Sequence, residues 1–397
     1  TGTKIMSKWL LPDYIEDIPP NEVDVIESAR RAAVDKMRSH GYQLVMPPLI
    51  EYLESLVSGI ADDVEGLTFK LFDQLSGKTM GIRADMTIQA ARIDSHILNK
   101  SDIVRLCYAG SVLHTMPKGL FSTREPLQIG AEMYGLSGLE GDLEIQAVML
   151  DILSAVGVGR DRVHLVLGNQ GVVRALMSAA GVKNNSKLMN DLYEALKNRD
   201  RPEISLICKR FDKKIKNALV DLPKLTGDSD ALRGAKSLLP DLKVIDKALE
   251  NLRVVEQTLK TKVGSISYDF VDLRGFKYHT GLVFSLYSVG NNDALGWGGR
   301  YDDLGRAFGR ARPATGFTMD LRMLSKLSTS FIPKTRVYAP WLPADSLLQK
   351  TIEELRKAGT SVIVDYVGEV TKTVKPLDST SRLVLVNGEW IVSENKK

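Results

Sequence analysis

Between residues 172 and about 260 the sequence is almost wholly helical in pattern, and strand patterns stand on both sides of that block. Such a chain is not a plain alternation of strands and helices. Its sheet must be drawn from two separated stretches, with the helical block, broken near Pro202, Pro223 and Gly227, inserted between them. Before the block, Tyr42 to Met46 reads as a strand stopped by Pro47-Pro48. Phe69 to Phe72 and Thr79 to Ile82 read as a hairpin around Ser76-Gly77, and Val104 to Leu113, Gln128 to Met133 and Val163 to Leu167 as further strands. After it come Ser267 to Asp272 and Leu282 to Val289. Val23, Ile26, Ala29, Ala33 and Met37 recur at helical spacing, and helices are also expected over Thr87 to Leu98, Asp142 to Val156 and about Thr318 to Leu327. Strands joined mostly as hairpins predict an α+β fold, an antiparallel sheet flanked by helices. Residues 335–397 read as a short α/β domain with strands at Val337 to Ala339, Val362 to Val364 and Leu383 to Val386, and a helix over Leu347 to Lys357. The expected division is a core of 6–168 and 261–330, a helical insertion of 169–260 and a C-terminal domain of 335–397. Thr1 to Ile5, ahead of Met6, read as an expression remnant outside the fold.

The 397 residues are 44% hydrophobic, enough for one large core and a satellite domain. A formal net charge of +4 comes from interspersed acids and bases, without the concentrated basic face of a dedicated nucleic-acid binder. Cys107 and Cys208 are far apart and belong to no metal-ligand spacing, so both read as buried free thiols of a reducing compartment, with no metal expected. No apolar run approaches the ~20 residues of a membrane span, and no secretory signal is visible; the expected location is the cytoplasm.

Several peptides carry a family resemblance. Gly41-Tyr-Gln-Leu-Val-Met-Pro-Pro-Leu-Ile-Glu51 resembles motif 1 of the class II aminoacyl-tRNA synthetases, the segment of their dimer interface. Arg83-Ala-Asp-Met-Thr87 resembles the Arg-Pro-Glu-x-Thr of histidyl-tRNA synthetases, and Arg105-Leu-Cys-Tyr-Ala-Gly-Ser-Val-Leu-His-Thr-Met116 with the loop to Glu132 resembles motif 2. Asp272-Leu-Arg-Gly-Phe-Lys-Tyr-His-Thr-Gly-Leu-Val-Phe284 is similar to the histidyl-specific peptide. Gly298-Gly-Arg-Tyr-Asp302 and Ala314-Thr-Gly-Phe-Thr-Met-Asp-Leu-Arg-Met323 are similar to the final signature and motif 3. The resemblance spans roughly residues 9–330 in the right order and implies the class II synthetase-like catalytic fold.

The departures bear on function. Adenylate formation needs arginine forks on the ATP phosphates. Where motif 2 has Phe-Arg-x-Glu, this chain has Leu113-His114-Thr115-Met116, and Met323 stands where motif 3 has its second arginine. Losing such donors costs ~10²- to 10³-fold each in rate, which argues against aminoacylation. The tail after Pro333 is shorter than an anticodon-binding domain and lacks a basic, aromatic stripe, so no tRNA is expected. The amino-acid pocket is kept. The resemblance places Asp85, Thr87 and Gln128 at a ligand ammonium, Glu132 at an imidazole N–H, and Arg274 at a carboxylate, with Tyr278 and His279 where the synthetase has a Tyr-Tyr pair. Gln128 and Glu132, four apart in a strand, share a face.

In wording the chain most resembles the regulatory subunits of short-form ATP phosphoribosyltransferase. That resemblance implies a non-catalytic, allosteric subunit without cofactor, which dimerises through its motif 1 region. It implies assembly with the short catalytic subunit in a hetero-octamer and feedback inhibition by L-histidine of the first step of histidine biosynthesis. Taken alone, residues leave other readings open. Arg83 and Asp85 suit a structural ion pair, His114 and His164 suit interior histidines, and Arg124 suits either a phosphate or a salt bridge to Glu125 or a neighbour. The helical block suits either core packing or a docking face. An active histidyl-tRNA synthetase and a synthetase-like RNA or kinase-partner module are the competing functions.

Overall fold

The computed structural model describes residues 10–57, 62–117, 122–183, 186–275, 278–290, 292–329, 331, 336–366 and 380–394. The chain divides into two compact units, residues 1–330 and 331–397.

The first unit is built on a nine-stranded sheet. Its strands are β1 (Gln43–Leu44), β5 (Val104–Ser111), β6 (Leu127–Tyr134), β7 (Val163–Asn169), β8 (Thr226–Gly227), β9 (Ser265–Asp269), β10 (Leu282–Ser288), β11 (Gly296–Arg300) and β12 (Ala314–Asp320). They lie in the order β1-β5-β6-β12-β11-β10-β7-β9-β8, antiparallel except at β1–β5 and β7–β9. Three more strands, β2 (Ile50–Tyr52), β3 (Phe69–Phe72) and β4 (Thr79–Ile82), make a small antiparallel sheet. In the β3–β4 turn, the Asp73 carboxylate accepts from the Leu75 and Ser76 amides and Gly77 takes a φ of +68°.

Alternation along each strand separates two faces of the large sheet. Ile129, Ala131 and Met133 of β6 turn into the main core. There they meet Ile26, Ala29, Ala33 and Met37 of the helix Pro20–Ser39, and Ile145, Val148, Met149 and Ile152 of Leu139–Ala155. The helical block contributes to the same core through Val173 and Leu176 (Gln170–Ala179), Leu192 (Lys187–Lys197) and Leu252 and Val255 (Lys243–Leu259). Each buried Val, Leu, Ile or Met side chain among them stabilises by ~1.5–3 kcal/mol against exposure. The residues between them in β6, Gln128 and Glu132, face the other way.

Several elements differ from expectation: β2, β8 and β11, and Glu389–Glu394 in the second unit, are strands the sequence did not announce, and β9 ends at Asp269 and not at Asp272. Val23 is exposed, because Pro20 starts the helix and its first turn overhangs the core. The strand after Gly41 shortens to Gln43–Leu44, cut off by the two prolines. The helix from Thr87 is α-helical to Arg92 and π-helical over Ile93–Leu98. Thr318 to Asp320 are strand, not helix. The helix Leu321–Leu327 begins only where the Asp320 carboxylate accepts from the Arg322 and Met323 amides.

The second unit has a four-stranded sheet in the order β14-β13-β15-β16: β13 (Arg336–Pro340), β14 (Ser361–Asp365), β15 (Thr380–Val386) and β16 (Glu389–Glu394). The helix Ser346–Lys357 packs Leu348 and Ile352 onto Val337, Ala339, Val362 and Leu383.

Candidate functional site

The sheet face opposite the main core is polar. Cross-strand register sets Gln128 beside Asp320, Gly130 beside Thr318, Thr318 beside Trp297, and Trp297 beside Ser285. Directly opposed residues share a face, so these side chains form one floor. Above it opens a cleft of about 710 Å³, within the ~300–1,000 Å³ of small-molecule sites. Asp85, His114, Gln128, Arg274, Tyr278 and Met323 line it, and Tyr193, Lys197 and Arg199 reach its rim from the helical block.

At one end, the Asp85 carboxylate accepts the Thr87 amide at 2.6 Å and the Gln128 Nε2 at 3.1 Å. Gln128 Oε1 accepts the Met86 amide at 2.9 Å, which fixes the orientation of its side-chain amide. Each Asp85 oxygen keeps a second lone pair, so the group can receive an ammonium without breaking these bonds. Behind it runs a buried chain. Thr87 Oγ1 lies 3.2 Å from the Tyr108 hydroxyl, Tyr108 donates to Glu132 at 2.8 Å, and Tyr301 donates to the other Glu132 oxygen. A side chain at Gly316 would collide with that carboxylate, so glycine makes room for it. Burial pushes the Glu132 carboxyl up to about 8, against the two tyrosine hydrogen bonds that favour its charge.

At the other end stands Arg274. Its Nε donates to Asp272 at 2.9 Å, and its Nη2 donates to Asp272 at 2.6 Å, Ser285 Oγ at 2.6 Å and Tyr287 Oη at 3.1 Å. The helical block holds this loop by its backbone. Gln170 Nε2 donates to the Asp272 and Arg274 carbonyls, Tyr193 Oη to the Leu273 carbonyl and Arg174 Nε to the His279 carbonyl.

The seven residues expected at the site therefore divide. Asp85, Gln128, Arg274 and Tyr278 line the cleft. Thr87 and Glu132 stand behind the wall and act on it through hydrogen bonds. His279 is apart: it is 4% exposed, its Nδ1 sits 3.1 Å from the Arg274 carbonyl, and its ring packs on Tyr278 with centroids 4.4 Å apart. Burial pushes its pKa down to about 4, so it is neutral. The tight turn at Gly275, where φ is +63° and its carbonyl accepts both the Tyr278 and His279 amides, carries the ring inward.

The positions of the missing arginines also face the cleft. His114 Nε2 donates to the Ala84 carbonyl at 3.0 Å, and Met323 lines the wall. Met116 is largely exposed. The neighbouring Arg322 is occupied elsewhere, by Glu16, Thr123 and the Glu125 carbonyl. Arg83 turns to the Ser111 and Pro47 carbonyls, not to Asp85. Arg124 donates to the His114 carbonyl and lies over the Phe69 ring. His164 bonds the Ser265 and Ser267 hydroxyls. Cys107 and Cys208 are buried and free. Among the described residues no acid, histidine or cysteine cluster could hold a metal ion, and no helix is long and apolar enough to cross a membrane.

Sequence reasoning missed Asp272, Ser285 and Tyr287 around Arg274, Tyr108 and Tyr301 around Glu132, and Gln170 under the loop. Ser285 and Tyr287 were within reach, since i and i+2 in a strand share a face. Asp272 stands only two residues from Arg274 in the chain, whereas Tyr108, Tyr301 and Gln170 meet their partners across the fold.

Residues 14–324 match the histidyl-tRNA synthetase family and residues 334–393 the ATP phosphoribosyltransferase subunit HisZ C-terminal domain. A regulatory subunit of ATP phosphoribosyltransferase from Nitrosomonas eutropha is 46% identical over 389 residues, covering 97% of this chain and 98% of its own. One from Ralstonia pickettii is 45% identical over 388 residues, with the same coverage. Among solved structures, an ATP phosphoribosyltransferase regulatory subunit/histidyl-tRNA synthetase from Bacillus halodurans superposes with a TM-score of 0.76 at 24% identity, covering 95% of this chain and 96% of its own. A histidyl-tRNA synthetase from a Nostoc species gives 0.71 at 19%, covering 95% and 91%. These two likenesses establish the class II synthetase-like fold.

Proposed function

This chain belongs to the family of ATP phosphoribosyltransferase regulatory subunits, and from that premise we propose that its cleft is a histidine receptor through which it activates a short catalytic subunit and imposes feedback inhibition. The observation that carries this reading is the contrast within one cleft. The amino-acid end is intact and hydrogen-bonded, through Asp85, Gln128 and Arg274, while the positions that would hold ATP phosphates are His114 and Met323. An imidazole that donates to a carbonyl and a thioether supply no permanent positive charge to a triphosphate. The site can hold an amino acid without being able to adenylate it.

In this reading the ligand ammonium sits on Asp85 and Gln128, its carboxylate on Arg274, and its imidazole toward Tyr278 and the Tyr108–Glu132–Tyr301 group. His279 supports Tyr278 from behind and makes no ligand contact. The chain works in the cytoplasm as a dimer joined through residues 41–51, within a hetero-octamer with the catalytic subunit, and itself catalyses nothing. Exposed Leu44, Met46, Leu49, Ile50 and Tyr52 supply the apolar surface that such a dimer would cover.

The test is reconstitution. Added to a short-form catalytic subunit, the chain should raise turnover, and histidine should inhibit the mixture. Asp85→Asn should weaken that inhibition at least about tenfold, because an ammonium loses its charged partner, while activation persists. A mixture no more active than the catalytic subunit alone, or one insensitive to histidine, would sink the proposal.

A further inference from the structure

Arg274 does not meet the cleft as a bare guanidinium. Asp272 already takes its Nε and Nη2 together, at 2.9 and 2.6 Å. Nη2, with two hydrogens, also faces Ser285 Oγ and Tyr287 Oη. Nη1 is the nitrogen with no bond among the described residues. The Asp272 side chain is 9% exposed and also accepts from Ser285 Oγ at 3.0 Å, whereas Arg274 is 45% exposed. The acid is thus fixed and the arginine hangs on it. Both line the cleft, so an incoming carboxylate meets them as a pair.

An arginine binds carboxylates best through two parallel N–H donors. Here one such edge is filled by the chain's own carboxylate, and Nη2 is shared among three oxygens. A ligand carboxylate is left with Nη1, and it feels the negative charge of Asp272 beside the positive charge of Arg274. We infer that Asp272 is a specificity-determining residue which works through Arg274: it competes internally for the guanidinium, limits the ligand carboxylate to a one-nitrogen contact, and leaves discrimination to the ammonium and imidazole ends. The inference deepens the proposed histidine reading and rests on it.

Removing the charge of Asp272 while keeping its shape gives the test. In Asp272→Asn, Ser285 and Tyr287 still hold Nη2, and the half-exposed Arg274 charge is solvated, so the fold should survive. Asp272→Ser serves as a second variant, and the melting curve of each is taken first. Calorimetric titration then compares histidine with histamine, which has the imidazole and ammonium but no carboxylate, on the full chain alone and with its catalytic subunit. Histidine should tighten about tenfold in the folded variants while histamine stays within about twofold. A change in overall packing would move both ligands together. If histidine weakens, or if both ligands shift equally, Asp272 is not an internal competitor and the inference fails while the receptor stands. If the unaltered chain takes up no histidine in either setting, the receptor reading falls and this inference with it.

Discussion

Glu132 is the residue on which pH should act most directly. Its folded pKa of about 8 lies above the ordinary 4.5, because burial disfavours the charge. The folded state therefore holds a proton that the unfolded chain releases, and stability falls as pH rises through the window from 4.5 to about 8. His279 acts in the opposite sense. Its folded pKa of about 4 lies below 6.5, so its neutral burial costs stability only as pH falls through that range. Glu132→Gln keeps an acceptor for a tyrosine hydroxyl and abolishes the first effect. The variant should melt higher than the natural chain at pH 8 and nearly level with it at pH 5. Melting curves that stay parallel across that range would refute the buried-proton account.

Among the elements, the loop from Asp272 to His279 depends most on what lies beneath it. Its described residues are neither strand nor helix, and the carbonyls of Asp272, Leu273, Arg274 and His279 are taken by the side chains of Gln170, Tyr193 and Arg174. Gln170 stands at the first turn of its helix, 1% exposed, and its Oε1 finds no partner among the described residues. A buried amide left half-satisfied costs about 1–3 kcal/mol, and the two carbonyls it holds explain why that cost is tolerated. Gln170→Ala should destabilise by a similar amount and weaken histidine binding about tenfold, since Arg274 loses its support. Calorimetry on the folded variant decides this; unchanged affinity would mean the loop is held well enough by Arg174 and Tyr193.

For the whole molecule, the apolar residues along 44–52 matter most. Met46 is 91% exposed in the single chain, an arrangement that costs free energy unless a second copy covers it. Met46→Asp should shift sedimentation from dimer to monomer at micromolar concentration. A variant that still sediments as a dimer would place self-association elsewhere. Every residue lining the cleft comes from the first unit, so histidine recognition is expected to be a property of that unit.

Read alone, the chain's sequence indicated most of the strands on either side of a helical block, though not β2, β8, β11 or β16, together with the polar positions at Asp85, Gln128, Glu132 and Arg274 and the non-arginine residues at 114 and 323. Those signals are local. Alternation, helical spacing and motif wording are written into neighbouring residues. The start of the helix Leu321–Leu327 was misplaced because Thr318 to Asp320 carry no local sign that β6 pairs with all three and β11 with Thr318 and Met319. What only the tertiary structure decided was accessibility and pairing. It withdrew Glu132 behind two tyrosines, turned His279 inward from the Gly275 turn, and gave Arg274 to Asp272 before any ligand arrives. The partners of Glu132, Tyr108 and Tyr301, are 24 and 169 residues away from it in the chain. Contacts across such distances follow from how the sheet is ordered and what packs on it, and no window of sequence contains them.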